Sequence, residues 1–126
     1  MSEFDWVEAR ANCTVATVFK KLSEDVQNDL SRYEQLCPGQ TQSRKFENCE
    51  KGFYVEFTHQ HRVVFEHDDT EIKIGRWANV GGKHTPLTVL TVKLDDDGEC
   101  ILVDSDGDSW KPWQVRRKAL EETLFG

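Results

Sequence analysis

The stretch "GFYVEFTHQHRVVFEHDD", residues 52–69, decides how the chain is read. Phe53, Val55, Phe57, His59, His61, Val63, Phe65 and His67 share one parity, and Tyr54, Glu56, Thr58, Gln60, Arg62, Val64 and Glu66 share the other. Side chains of an extended chain alternate between faces, so a period of two with one apolar face is a strand signal. The alternation runs for about fifteen residues, against a usual five or six. Either the strand is long and bent, or a turn interrupts it near His59-Gln60-His61. Those residues are weak turn formers, so the expectation is one bent strand.

Upstream the period changes. Val15, Val18, Phe19, Leu22, Val26, Leu30, Tyr33 and Leu36 recur at steps of three and four, the pattern of a helix with one apolar face. Thr14 is placed to cap its start, and Cys37-Pro38-Gly39 to stop it. A helix of that length is a rod of roughly 30 Å, enough to cross a sheet. Regular alternation begins at Phe46, with a hairpin expected at "EKG" (50–52) and another at "HDDT" (67–70). "TEIKIGRW" reads as a strand and "ANVGGKHTP" as a loop. "PLTVLTVKL" and "ECILVD" form a hairpin through "DDDG". In the last segment Pro112 suits a first helical turn, and Trp113, Val115 or Arg116, Leu120 and Leu124 follow at helical spacing.

The predicted fold class is α+β: an antiparallel, about five-stranded, curved β-meander packed against a long N-terminal helix, with a short C-terminal helix. A chain of 126 residues is expected to form a single domain over 1–126, with 1–12 as an N-terminal arm. The order of elements is similar to that of the cystatin-like and helix-grip architectures. That likeness concerns layout and implies nothing about activity.

The chain carries 23 acids against 16 bases, and the whole excess of seven lies in "LDDDGECILVDSDGDSW", residues 94–110. A negative total with no large basic cluster argues against nucleic acid as a partner. No apolar run approaches membrane-spanning length, so no membrane partner is expected. The opening "MSEFDWVEAR" lacks the apolar core of a signal peptide, which makes the cytoplasm the expected location. Cys13, Cys37, Cys49 and Cys100 are widely spaced without a close pair, so the expectation is reduced, packed thiols and no zinc site.

Asp104, Asp106 and Asp108 alternate around Gly107, as calcium ligands do. The glycine precedes the third aspartate instead of following it, and Val115 stands where an EF-hand loop has its glutamate. Turn formation is the stronger reading, because aspartate bonds to its own backbone in turns. Asp106 and Asp108 are also expected to complement the dipole of the following helix. No cofactor is predicted, and Asp104, Asp106 and Asp108 remain a weak calcium candidate.

His59 and His61 share a strand face, with His84 able to contribute a third ring. A ligand-binding pocket is therefore drawn around Phe57, His59, His61 and Trp77, against the plainer reading that these rings lie at the rim. Nothing in the chain matches a nucleophile elbow, a phosphate loop or a paired-carboxylate motif, so no catalytic residue is assigned. Trp6, Trp77, Trp110 and Trp113 are expected mostly at the core or its edge. Phe4, Trp6 and Val7 suggest an edge strand or an arm docking on a second subunit, and a homodimer is a possibility. The function expected is that of a small non-catalytic cytoplasmic binding or adaptor module working through a protein partner. The alternative is a small-ligand or enzymatic pocket on the concave sheet face.

Overall fold

Residues 3–38, 44–58, 61–78 and 83–125 are described by the computed structural model. In chain order the elements are α1 (Trp6–Asn12), α2 (Val15–Leu36), β1 (Lys45–Cys49), β2 (Gly52–Thr58), β3 (His61–His67), β4 (Ile72–Ala78), β5 (Lys83–Leu94), β6 (Cys100–Asp104), β7 (Ser109–Trp110) and α3 (Pro112–Phe125). The strands form one seven-stranded antiparallel sheet in sequential order, with β1 and β7 at the edges. The long helix α2 and the short C-terminal helix α3 belong to the α+β layout read from the sequence. No helix among the described residues is long and apolar enough to cross a membrane.

Thr14 caps α2 as its position suggested: its side chain accepts a hydrogen bond from the Thr17 N–H at 3.2 Å. The apolar stripe of α2 buries Val15, Phe19, Leu22, Val26, Leu30 and Tyr33. Opposite them lie Phe53, Val55, Val63, Phe65, Ile72, Ile74, Leu90 and Leu102 from the sheet. Phe53 is the hub, with its ring centroid 4.6 Å from Phe65, 5.0 Å from Phe46 and 5.3 Å from Phe19. Each such side chain contributes about 1.5–3 kcal/mol by leaving water. These rings and aliphatic groups fill the helix-facing side of the sheet at its centre.

The sheet has seven strands instead of five for two reasons. The alternation at 53–67 is not one bent strand: β2 ends at Thr58, β3 begins at His61, and the two pair as a hairpin. The register couples Phe53 with Phe65 and Val55 with Val63, odd with odd. A hairpin with that register buries the same set as an unbroken strand, so alternation alone cannot tell them apart. A register shift between Glu56 and Thr58 absorbs the extra residue. The second addition is β7, whose Trp110 pairs with Leu102 and whose Ser109 pairs with Val103.

Within the expected arm, Trp6–Asn12 form the helix α1 and not an edge strand. The Asp5 side chain accepts from the Glu8 N–H at 3.0 Å and caps α1. No residue of α1 is buried, and Phe4, Trp6 and Val7 are exposed.

Cys13 and Cys100 form a disulfide, contrary to the expectation of reduced thiols. The α1–α2 junction brings Cys13 beside the first residue of β6, with a Cα–Cα distance of 5.5 Å. Cys37 and Cys49 are free.

The inward stripe of α3 is Val115, Ala119, Leu120 and Thr123. Trp113 is not part of it and stands exposed. Arg116 locks α3 to α2: its Nε donates to Asp29 Oδ2 at 2.7 Å and its Nη1 lies 3.5 Å from Asp25 Oδ2. Arg76 of β4 reaches Glu122 at 3.2 Å, and Arg44 donates to the Thr123 carbonyl at 3.3 Å.

Candidate functional site

Of the predicted pocket residues that are described, Phe57 and His61 meet and Trp77 does not join them. Phe57 and His61 stack with ring centroids 5.6 Å apart, on the helix-facing parity of the β2–β3 hairpin. Trp77 is the register partner of Arg62 and so belongs to the opposite face. There the Arg62 guanidinium lies between two rings, 4.5 Å from the centroid of Tyr54 and 5.1 Å from that of Trp77. The parity of the strand pairs places both α2 and α3 on the other side of the sheet. His59 lies outside the described residues, and His84 is known here only as the register partner of Trp77.

The histidines that are described have structural neighbours. His67 packs on Phe19 with centroids 4.3 Å apart, and its Nδ1 lies 3.3 Å from the Asp68 carbonyl oxygen. Among the described residues neither His61 nor His67 bonds a carboxylate or hydroxyl side chain that could orient it as a general base.

The acidic stretch resolves into two copies of one turn. In the β5–β6 turn, Asp95 Oδ1 accepts from the N–H groups of Asp97 and Glu99 at 2.9 and 2.8 Å. In the β6–β7 turn, Asp104 Oδ1 accepts from Asp106 and Asp108, both at 2.9 Å. Backbone bonds repeat as well: Asp95 N–H to Glu99 O and Gly98 N–H to Asp95 O in one, Asp104 N–H to Asp108 O and Gly107 N–H to Asp104 O in the other. Gly98 and Gly107 sit at φ of 82° and 86°, the left-handed conformation that closes the turn. The sequence signal was present in "DDDGE" and "DSDGD", a D-x-D-G-acid pattern repeated nine residues apart.

Carboxylate oxygens of Asp104, Asp106 and Asp108 approach within 4.8 Å of one another. Asp104 is already committed, since its second oxygen accepts from the Trp110 indole N–H at 2.9 Å. That indole, with help from the Asp108 and Asp106 N–H groups, holds the Asp104 carboxyl below the usual aspartate range, against an opposing push from partial desolvation. Turn formation accounts for these contacts. The acids also do not sit at the start of α3, because β7 intervenes; there the Lys111 N–H is capped instead by Gln114 Oε1 at 2.8 Å.

The feature that sequence reasoning missed is an exposed apolar surface on α3 and the end of α2. Trp113 is 51% exposed, Phe125 69% and Leu36 63%. A groove of about 480 Å³ runs between the helices, lined by Tyr33, Leu36, Leu120, Leu124 and Phe125 and rimmed by charges that include Asp29 and Arg116. A second, shallower depression of about 960 Å³ flanks α3 on its other side, toward Trp110. Ala119 and Thr123, too small or too polar to be noticed, complete the true inward stripe.

Fold and surface together define an α+β chain with an open meander, helices on one side, and aromatic side chains exposed on the outer helix. No protein-family model matches this chain, and neither does any curated protein or solved structure.

Proposed function

We propose that this chain is a non-catalytic binding module acting through protein–protein contacts, with the outer side of α3 and the end of α2 as its contact surface. The observation that carries this reading is the exposure of Trp113 beside an apolar groove with a charged rim. Tryptophan is the residue type most often found at the energetic centre of an interface, and arginine is enriched around it. The alternative of a small-ligand or enzymatic pocket at Phe57, His59, His61 and Trp77 has less support. Stacked phenylalanines fill the neighbouring sheet centre, and Trp77 faces the other way. Nucleic acid and membrane are not proposed as partners, given the net charge of −7 and the absence of a large basic cluster. As for location, the Cys13–Cys100 bond favours an oxidising compartment over the cytosol.

The test is a photo-crosslinking residue placed at position 113, or at Val89 on the open sheet face, in cells of the source organism. Discrete protein adducts from position 113 and none from position 89 are expected. Adducts from neither position, or equally from both, overturn the assignment.

A further inference from the structure

The exposed ridge of α3 has the same chemistry read from either end. Trp113, Arg117, Glu121 and Phe125 follow one another at four-residue steps. The Arg117 and Glu121 side chains are 65% and 51% exposed and pair with each other between the two exposed aromatics. At about 1.5 Å per residue the ridge is roughly 18 Å long, and its midpoint lies level with Ala119. A two-fold axis at that level, normal to the helix, maps aromatic onto aromatic and cation onto anion.

We propose that the occupant of this surface is a second copy of this chain, docked α3 to α3 about that axis. The inference rests on the reading of α3 as the contact surface and names its partner. Trp113 packs against Phe125 of the partner subunit, and Arg117 meets Glu121 of the partner subunit. The reciprocal contacts follow by symmetry, as an isologous interface requires. The Phe125 ring lies edge-on to Tyr33 at 5.2 Å between centroids, and the α2–α3 groove, which Trp113 also lines, opens beside it. There the partner's Trp113 packs on Phe125 and covers the exposed Leu36. The ridge is an i, i+4 row, the kind that interdigitates with its like when helices cross at about 50°. Contact along a single helix is short of the roughly 800 Å² per partner of a standard interface, and the two flanking depressions extend it. The central charges replace two intrahelical pairs by a four-membered network, whereas a parallel docking sets Arg117 against Arg117 of the partner subunit.

Sedimentation velocity on the full chain, with the disulfide intact, tests this. The sedimenting mass is expected to rise with concentration to twice that of the chain, and Trp113→Ala to hold it at one. Arg117→Glu and Glu121→Arg, each alone, juxtapose like charges across the axis and are expected to weaken self-association roughly tenfold or more. An equimolar mixture of those two variants restores both cross-axis pairs, and is expected to dimerise more tightly than either alone. A wild-type chain that stays monomeric at every concentration overturns the proposal. So does a dimer indifferent to Trp113→Ala, or a mixture no tighter than its components. If a charge variant does not fold, isotope-filtered NMR on mixed-label wild-type protein decides instead, through contacts between the Trp113 indole and the partner's Phe125 ring; their absence overturns the proposal. A monomer whose position 113 crosslinks to some other protein defeats this inference and leaves the α3 surface standing, whereas no adduct of any kind defeats both.

Discussion

Cys13, between α1 and α2, is bonded to Cys100 at the start of β6 across a sequence separation of 87 residues. Closing so long a loop removes much of the freedom of the unfolded chain, an effect of about 4–5 kcal/mol on the chain-entropy model and about 2–5 kcal/mol in practice. Replacing both cysteines by serine is expected to lower the unfolding free energy by that amount, read from urea denaturation. Because α1 buries no side chain, amide exchange over residues 5–12 is expected to accelerate more than exchange in α2 when the bond is reduced. A denaturation midpoint indifferent to reductant contradicts the stabilising role.

The twin turns offer an internal control. Gly98 and Gly107 have nearly the same positive φ, and a Cβ at that conformation costs roughly 1–2 kcal/mol. A Cβ at Gly107 meets nothing within 4 Å, whereas one at Gly98 comes within 2.4 Å of the Phe4 ring. Phe4 is an exposed side chain that can swing aside. Gly98→Ala and Gly107→Ala are therefore expected to destabilise the fold by similar amounts, and only the first to displace Phe4, seen as altered ring resonances in NMR. A much larger loss for Gly98→Ala contradicts that account.

Acid titration follows from two aspartates. Asp104 is held below its ordinary value of 3.8 first by the Trp110 indole N–H. Asp68 is held below the same value first by the Thr70 N–H, then by the Glu71 N–H and the Thr70 hydroxyl. A folded-state pKa lower than the unfolded one gives stability that is present above the unfolded value and is lost as pH falls through the folded one. The melting temperature is thus expected to be steady above about pH 5 and to decline below about pH 4. Asp104→Asn should melt lower than wild type at neutral pH yet decline less steeply in acid. Parallel acid limbs for the two proteins exclude Asp104 as a contributor.

Arg62 tests the separation of the two faces. Its place between Tyr54 and Trp77 makes it worth about 1 kcal/mol through paired cation–π contacts. Arg62→Ala is expected to reduce stability by that order and to shift Trp77 emission, while the imidazole resonances of His61, on the other face, stay in place. Movement of both signals together contradicts the assignment of Trp77 and His61 to opposite sides.

Local pattern carried much of this fold. The bounds of α2 were legible from its three- and four-residue spacing and its cap, because helical geometry ties each apolar position to its neighbours within a turn. The hairpins at 50–52 and 67–70 were legible for a similar reason, since turn residues punctuate the alternation. The inward parity of Phe53, Val55, Val63 and Phe65 was legible as well, and it survived the error over the strand break. The candidate site was much less legible. Phe57 and His61 do meet, but nothing local indicated that Trp77 belongs to the other face, that Trp113 stands exposed, or that Cys13 finds Cys100.

Periodicity and turn chemistry act over a few bonds, so a single sequence displays them directly: one long amphipathic helix, a run of antiparallel strands, a closing helix, and which parity is apolar. Which residue stands opposite which is settled by strand register and by loop closure across as many as 87 residues, as in the cysteine pair. Those distant encounters are chosen by the packing of the whole core, and no short window of sequence contains them.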